Sequence, residues 1–386
     1  MYPTITDMLY DLLGVRIPLP IQTYGFFLAL AFLVAGVWLY YELRRMERAG
    51  IMHGIMEKSV IGNPASLWDL LMNAIMGFLI GFKGTAMLMN WTVFSDNPHE
   101  FLLSGRGSLV GGILVAILMC AWRYYETERQ RLPQAQVVED MVYPHQRIGD
   151  MIMLAAIFGI LGAKIFTWIE DIPAFLRDPI GALLSFSGLT FYGGLICAAA
   201  TLMYYAYKKQ ISMGGLIDAT APALILGYGI GRLGCHFSGD GDWGIVNTAP
   251  KPFAALPDWA WSYTYPNNVT GQGIPIEGCV GKYCSVLPEG VYPTSVYEFV
   301  FSVIIFLVLV AIRRSIRIPG ILFGIYLVLN GLERFCIEIV RVNDRYDWAF
   351  GMSQAQIIAV SLMLLGVLCM AVFGITGRKP NPTAQD

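Results

Sequence analysis

The sequence predicts an all-α bundle of membrane-crossing helices, and three observations carry that prediction. Of the 386 residues, 56% are hydrophobic. Only 14% are charged, against about a quarter in soluble domains, and the mean hydropathy is +0.56. Apolar runs of about 20 residues, the length that crosses a hydrocarbon core, recur along the whole chain.

These runs fall near 22–41, 67–91, 107–124, 149–169, 186–206, 214–234, 295–312, 319–340 and 353–376, which predicts about nine transmembrane helices. The first run lacks a small-residue cleavage site and reads as a retained helix. Placing the N-terminus outside leaves about twice as many Lys and Arg in the inner turns as in the outer ones. The C-terminus is then expected in the cytoplasm. A net charge of -2 with no basic run gives no footprint for nucleic acid.

On this topology the longest outer segment, 236–294, forms a periplasmic loop subdomain rich in Trp, Tyr, Pro and Gly. Its Trp243, Trp259, Trp261, Tyr263, Tyr265 and Tyr292 suit the headgroup region. Cys279 and Cys284 share this segment and can close a small disulfide ring if it faces an oxidising compartment. Asn268-Val269-Thr270 matches a glycosylation sequon, a match too common by chance to carry weight. No CxxC or HExxH spacing occurs, so neither a metal nor a cofactor is expected.

The chain also repeats itself. Ile80-Gly81-Phe82-Lys83 resembles Leu161-Gly162-Ala163-Lys164, and Gly111-Gly112 follows the first as Gly193-Gly194 follows the second. Both units run in the same sense, so segment 60–130 reads as an extra hairpin duplicated from 149–206. A parallel repeat argues against the inverted repeats of many transporters.

Candidate functional residues converge in depth. At about 1.5 Å per residue, Lys83, Lys164, Arg232 and Arg334 lie roughly 22 to 27 Å along their helices, in the outer third. Tyr24 and Tyr192 begin helices entering from outside and reach the same layer. Gly193, Gly194, Gly227, Gly229, Gly231 and Gly234 permit close backbone approach, whether for helix packing or for a cavity wall. Glu338, one turn after Arg334, can hold that guanidinium and leave its other donors free. Intramembrane guanidiniums are costly, and two at one depth suit a phosphate gripped in bidentate fashion.

Competing motifs around Arg232 fail. A calcium loop starting at Asp240 would need a Glu where Lys251 stands, and a G-x-S-x-G elbow at Ser238 meets His236 instead of Gly. Cys235 and His236 are adjacent, a poor arrangement for a nucleophile and its base.

The stretches GRLGCHFSGDGDWG (231–244), FYGGLI (191–196), YPTSVYE (292–298), RFCIEIVR (334–341) and SQAQII (353–358), with the TYG at 23–25, resemble prolipoprotein diacylglyceryl transferases in content and order. The resemblance covers the chain from Thr23 through the last helix. It implies an enzyme of the bacterial inner membrane, with residues 1–386 as one membrane-embedded catalytic domain and 60–130 added to a seven-helix core. Its partners would be phosphatidylglycerol, membrane lipids and a prolipoprotein signal peptide with its lipobox cysteine.

Carried over by position, the resemblance implies Arg232, Arg334, Tyr24, Tyr192, Glu338 and Asp240 as catalytic. Arg232, Arg334, Gly193, Gly194, Gly234, Gly244 and Lys164 would bind the phosphatidylglycerol. Asp240 stands where the signature usually has Glu. Two departures are notable: Tyr192 replaces the usual His before the GGL, and Cys235, followed by an extra loop residue, replaces the usual Asn. The alternatives are a transporter with a cationic site, or an inactive family member that binds lipid or prolipoprotein.

Overall fold

The computed structural model describes residues 1–15, 17, 21–61, 63–96, 101, 105–133, 136–179, 190–343, 345–347 and 350–376. For residues 59–61, 95, 96, 174, 191, 192 and 376 the backbone alone is described.

Among the described residues ten principal helices follow one another: α1 (Ile5–Leu13), α2 (Thr23–Arg48), α3 (Leu67–Met89), α4 (Leu109–Arg129), α5 (Ile148–Glu170), α6 (Phe191–Lys208), α7 (Met213–Ser238), α8 (Thr294–Ile312), α9 (Ile321–Ile337) and α10 (Gln354–Thr376). Seven of them (α2, α3, α4, α5, α7, α8 and α10) are long and apolar enough to cross a membrane. The runs expected at 186–206 and 319–340 correspond to the shorter helices α6 and α9, of 18 and 17 residues. The start of the 186–206 run lies outside the described residues.

Local sequence sets the helix ends. Ser66, Ser108 and Ser212 each accept a hydrogen bond from the backbone N–H three residues on, the usual satisfaction of a free helix N-terminus. Gly239, at φ 66°, closes α7 in the left-handed conformation that a side chain would resist. Two features have no counterpart in the apolar pattern. One is amphipathic α1, entered through a Thr4–Asp7 capping box. The other is an antiparallel ribbon of β1 (Ile55–Ile61) and β2 (Gln136–Val142).

The bundle has two ends: one capped by the head segment 239–293, the other remote from it. At the remote end Leu43, Met46, Ile148, Met151, Ala206, Leu216 and Ala219 join α2, α5, α6 and α7 in one apolar cluster. Glu42 is buried there between Arg45 (2.7 Å) and Arg313 (2.6 Å). A second cluster, including Ala221, Ile225, Ile305, Leu309, Leu322 and Tyr326, joins α7, α8 and α9. The head has its own small core of Trp243, Tyr265 and Val291.

The repeated hairpins match contact for contact. A methyl placed on Gly81 would lie 2.3 Å from the Gly111 carbonyl oxygen, and one on Gly162 would lie 2.5 Å from that of Gly193. Gly111 faces Thr85 as Gly193 faces Phe166. The loop ends agree too: Ser108 N–H donates to Phe82 O at 2.9 Å, and Thr190 N–H to Ala163 O at 3.3 Å. The ribbon leading to the α3–α4 pair is held to α5 and α6 through Glu57, which pairs with Arg147 and with Lys209 (2.6 Å).

The head contains the short strands β3 (Ile274–Pro275) and β4 (Ser285–Val286), with the Cys279–Cys284 disulfide between them. A thiol assay on denatured protein is therefore expected to count five cysteines, rising to seven after reduction. Seven without reductant would show that the ring is open. Asn268 is fully buried, with Nδ2 donating to the carbonyls of Tyr265, Gln272 and Ser285, so its sequon is structural.

Candidate active site

The site forms where α7, α8 and α9 end beneath the head. Arg232 is on the last turns of α7, and Glu298 faces it from the first turns of α8. Arg334 is on the last turn of α9, Glu338 follows it in a 3-10 turn, and Arg341 closes that turn with extended backbone. Helix registers therefore bring side chains over 100 residues apart to one point.

Glu298 is the hub. Wholly buried, it accepts from Arg334 Nη1 at 2.8 Å and from Tyr228 Oη at 3.0 Å. Arg232 Nε lies 3.3 Å and Arg341 Nη1 3.6 Å from its second oxygen. The Tyr228 ring lies 4.9 Å from the Arg232 guanidinium carbon, adding a cation–π contact. Both arginines expected to be available for an anion are thus already anchored, because a buried guanidinium without a counter-charge is far too costly.

Asp242 is the second hub, binding both Arg232 and Arg341 through its carboxylate. Its carbonyl accepts from Thr294 and Ser295 at 2.8 Å each, which ties the loop to the start of α8. Burial works to raise its pKa, but Arg232 and Arg341 outweigh that and hold the carboxyl below its ordinary value.

Glu338 pairs with Arg334 at 3.2 Å, as the one-turn spacing predicts. It also accepts from Asn343 and from Ser353 Oγ at 2.8 Å, so α10 braces it. Nε and Nη1 of Arg341 and one oxygen each of Glu298 and Glu338 are buried and make no hydrogen bond. Arg341 Nη1 and Nε instead face Glu298 and Glu338 at ion-pair distances of 3.6 and 4.0 Å, and the side chains of the three arginines stay 10 to 20% exposed.

The other candidates divide. Tyr24, half-exposed at the start of α2, lies in the electrostatic field of Arg232, Cys235, Asp240 and Asp242. Gly234 gives α2 its close approach: a methyl there would meet Phe27 Cβ at 2.9 Å. Gly244 pairs with Arg341 in a β-bridge, and a methyl would fall 2.5 Å from Val340 O. Gly244→Ala is expected to cost about 1–3 kcal/mol by overpacking. Thermal unfolding in detergent reads that cost, and an unchanged melting temperature would contradict it.

Gly193 and Gly194 make their close contacts within the α5–α6 pair, where Phe166, Ala163 and the carbonyls of Gly159 and Gly162 fill the space beside them. They serve helix packing there. Lys164 is buried on the same pair. Its counterpart Lys83 donates to the carbonyls of Phe101 and Arg106 at 3.1 and 3.0 Å. The side chain of Tyr192 lies outside the described residues.

Sequence reasoning missed Glu298, Asp242, Arg341 and Tyr228. The first three stand inside motifs already singled out, and only the tertiary fold shows that they face the two arginines. Among the described residues, Cys235, Asp240 and Asp242 form a group of three metal-type donors, with ligand atoms within 4.8 Å of one another. A divalent ion there would compete with the guanidiniums of Arg232 and Arg341 for the Asp242 carboxylate.

The family model described as prolipoprotein diacylglyceryl transferase matches residues 113–372, from within α4 to within α10. The chain belongs to that family. Among similar proteins are three named phosphatidylglycerol–prolipoprotein diacylglyceryl transferase. That of Dehalococcoides mccartyi is 31% identical over 224 residues, covering 56% of this chain and 75% of the relative. The Staphylococcus xylosus protein is 27% identical over 245 residues, covering 63% and 80%. The Vibrio cholerae protein is 27% identical over 233 residues, covering 59% and 75%. The match to the diacylglyceryl transferase family includes all three arginines and both hubs, whereas α2 with Tyr24 and helix α3 lie before it.

Proposed function

We propose that this diacylglyceryl transferase moves the diacylglyceryl group of phosphatidylglycerol onto the lipobox cysteine thiol of a prolipoprotein, forming a thioether and releasing glycerol phosphate. The observation that carries this reading is the convergence of Arg232, Arg334 and Arg341 on shared carboxylates, in a member of this family. In the reaction the thiol sulfur bonds to the glycerol carbon and the carbon–oxygen bond to phosphate breaks. Charge grows on the phosphate oxygens as they leave, and pre-set guanidinium forks are suited to receive it.

In this reading Arg232 and Arg334 grip the phosphate, with Arg341 beside them. Glu298, Asp242 and Glu338 fix the forks, and Tyr24 lines the entrance. The chain lies in the bacterial inner membrane with its N-terminus outside, the head in the periplasm and the C-terminus in the cytoplasm. Residues 1–386 act as one catalytic domain, and the head expected at 236–294 is the segment 239–293 between α7 and α8. The equivalent contacts of the two hairpins support 60–130 as a copy of 149–206.

The test is purified protein with labelled phosphatidylglycerol and a lipobox peptide. Thioether-linked lipid is the expected product, and its absence from the wild-type reaction would end the enzyme reading.

A further inference from the structure

Glu333 stands beside the site but takes no part in its ion pairs. It immediately precedes Arg334 on α9 and is only 5% exposed. Both of its carboxyl oxygens are buried and make no hydrogen bond. Buried polar groups in native proteins nearly always have a partner, so a carboxyl without one marks a place where charge state matters.

Helix register shows which way Glu333 faces. Gly324 and Gly331 bring α9 against Met370 and Met363 of α10. Glu333 lies roughly 200° round the helix from Gly331, on the side away from α10. Tyr326, two turns earlier on the same face, packs in the cluster formed with Ala221 and Ile225 of α7 and Ile305 and Leu309 of α8. The titratable groups around Glu333 are therefore Tyr228 and Arg232 from α7, Glu298 from α8, and Tyr326, Arg334 and the following Arg341. Helix α10 carries no charged residue.

In the ion-paired cluster Arg232, Arg334 and Arg341 are matched by Asp242, Glu298 and Glu338. Two carboxyls lie outside that balance. Asp240 is part-exposed in the loop after α7 and accepts the Asp242 N–H at 3.3 Å, whereas Glu333 is enclosed. An ionised Glu333 would be a further negative charge with no donor to hold it, and a buried carboxyl in that position keeps its proton instead. As a neutral acid it leaves the three guanidiniums balanced. As a carboxylate it would oppose any anion that they receive.

We propose that Glu333 is a positioning residue that couples a proton to the phosphate: the arginines take the phosphatidylglycerol headgroup while Glu333 is protonated, and an ionised Glu333 drives it out. This rests on the reading above that Arg232 and Arg334 grip the phosphate. Glu333 acts through those arginines and touches no reacting atom, and its proton is exchanged with water. Because coupling between two bound species is reciprocal, phosphatidylglycerol must favour the protonated form of Glu333 by the same factor.

The experiment measures binding of labelled phosphatidylglycerol to the purified full chain in detergent micelles, with no peptide present. It runs from about pH 6, above the ordinary carboxyl range, to about pH 9.5, below that of lysine. Wild-type affinity is expected to fall across this range by roughly 5- to 150-fold, the usual span of a coupling between two sites. Glu333→Gln, which cannot ionise, is expected to bind with one affinity throughout, and Glu333→Met is the second neutral variant should the amide fail to fold. At the alkaline end, in weak buffer, phosphatidylglycerol should draw up to about one proton onto the wild type and none onto the variant. A merely structural glutamate would not move that count. A constant wild-type affinity, folded variants that lose affinity in parallel with wild type, or wild-type binding without proton uptake each overturn the proposal. A wild type that binds no phosphatidylglycerol at any pH would instead reject the phosphate-gripping reading on which the proposal rests.

Discussion

Glu298→Gln is expected to reduce thioether formation by more than about 100-fold and to lower the unfolding temperature. The substitution keeps the shape of the side chain and removes only its charge. Arg232, Arg334 and Arg341 then lose their common counter-ion, and Tyr228 Oη must share an amide. Removing one partner of a buried ion pair costs about 3–5 kcal/mol. Asp242 and Glu338 still hold the arginines from the other side, and the guanidiniums are 10 to 20% exposed, so the lower part of that range applies. Activity, phosphatidylglycerol binding and thermal unfolding together make the test. Wild-type activity in a folded Glu298→Gln protein would remove Glu298 from the machinery.

Arg232→Lys should fail almost as completely as Arg232→Ala, with kcat down about 10²–10³-fold in each. A lysine restores the charge but not the planar fork. Arg232 uses that fork to reach Asp242 and Glu298 from different nitrogens while its face lies on Tyr228. Arg334 is similarly divided between Glu298 and Glu338, and Arg334→Lys should behave alike. Arg314→Ala, on the exposed turn after α8, serves as the control and should leave the rate unchanged. If Arg232→Lys retained wild-type kcat, charge alone would suffice and the bidentate grip would be wrong.

Much of the architecture was legible because apolar length is a one-dimensional property. Each expected apolar run corresponds to a helix, and the one-turn spacing of Arg334 and Glu338 predicted their pairing. The ribbon joining 55–61 to 136–142 was not legible, since its register depends on strands separated by a whole hairpin. Gly193 and Gly194 illustrate the opposite limit. Their spacing permits either a ligand wall or close helices, and only the position of Phe166 and the Gly162 carbonyl shows that α5 occupies the space.

The same division runs through the site. Composition and the order of the motifs determined a helical membrane protein of the diacylglyceryl transferase family, with Arg232 and Arg334 as its costly cations. Apart from Glu338, what holds them was decided by tertiary structure alone, because the other counter-charges come from α8 and from Asp242 at the start of the head segment. A sequence records that an arginine lies in an apolar run. Which carboxylate neutralises it depends on distances of about 3 Å between helices, and those are set by packing: Gly229 against Ser302, Gly234 against Phe27, and Gly244 against Val340.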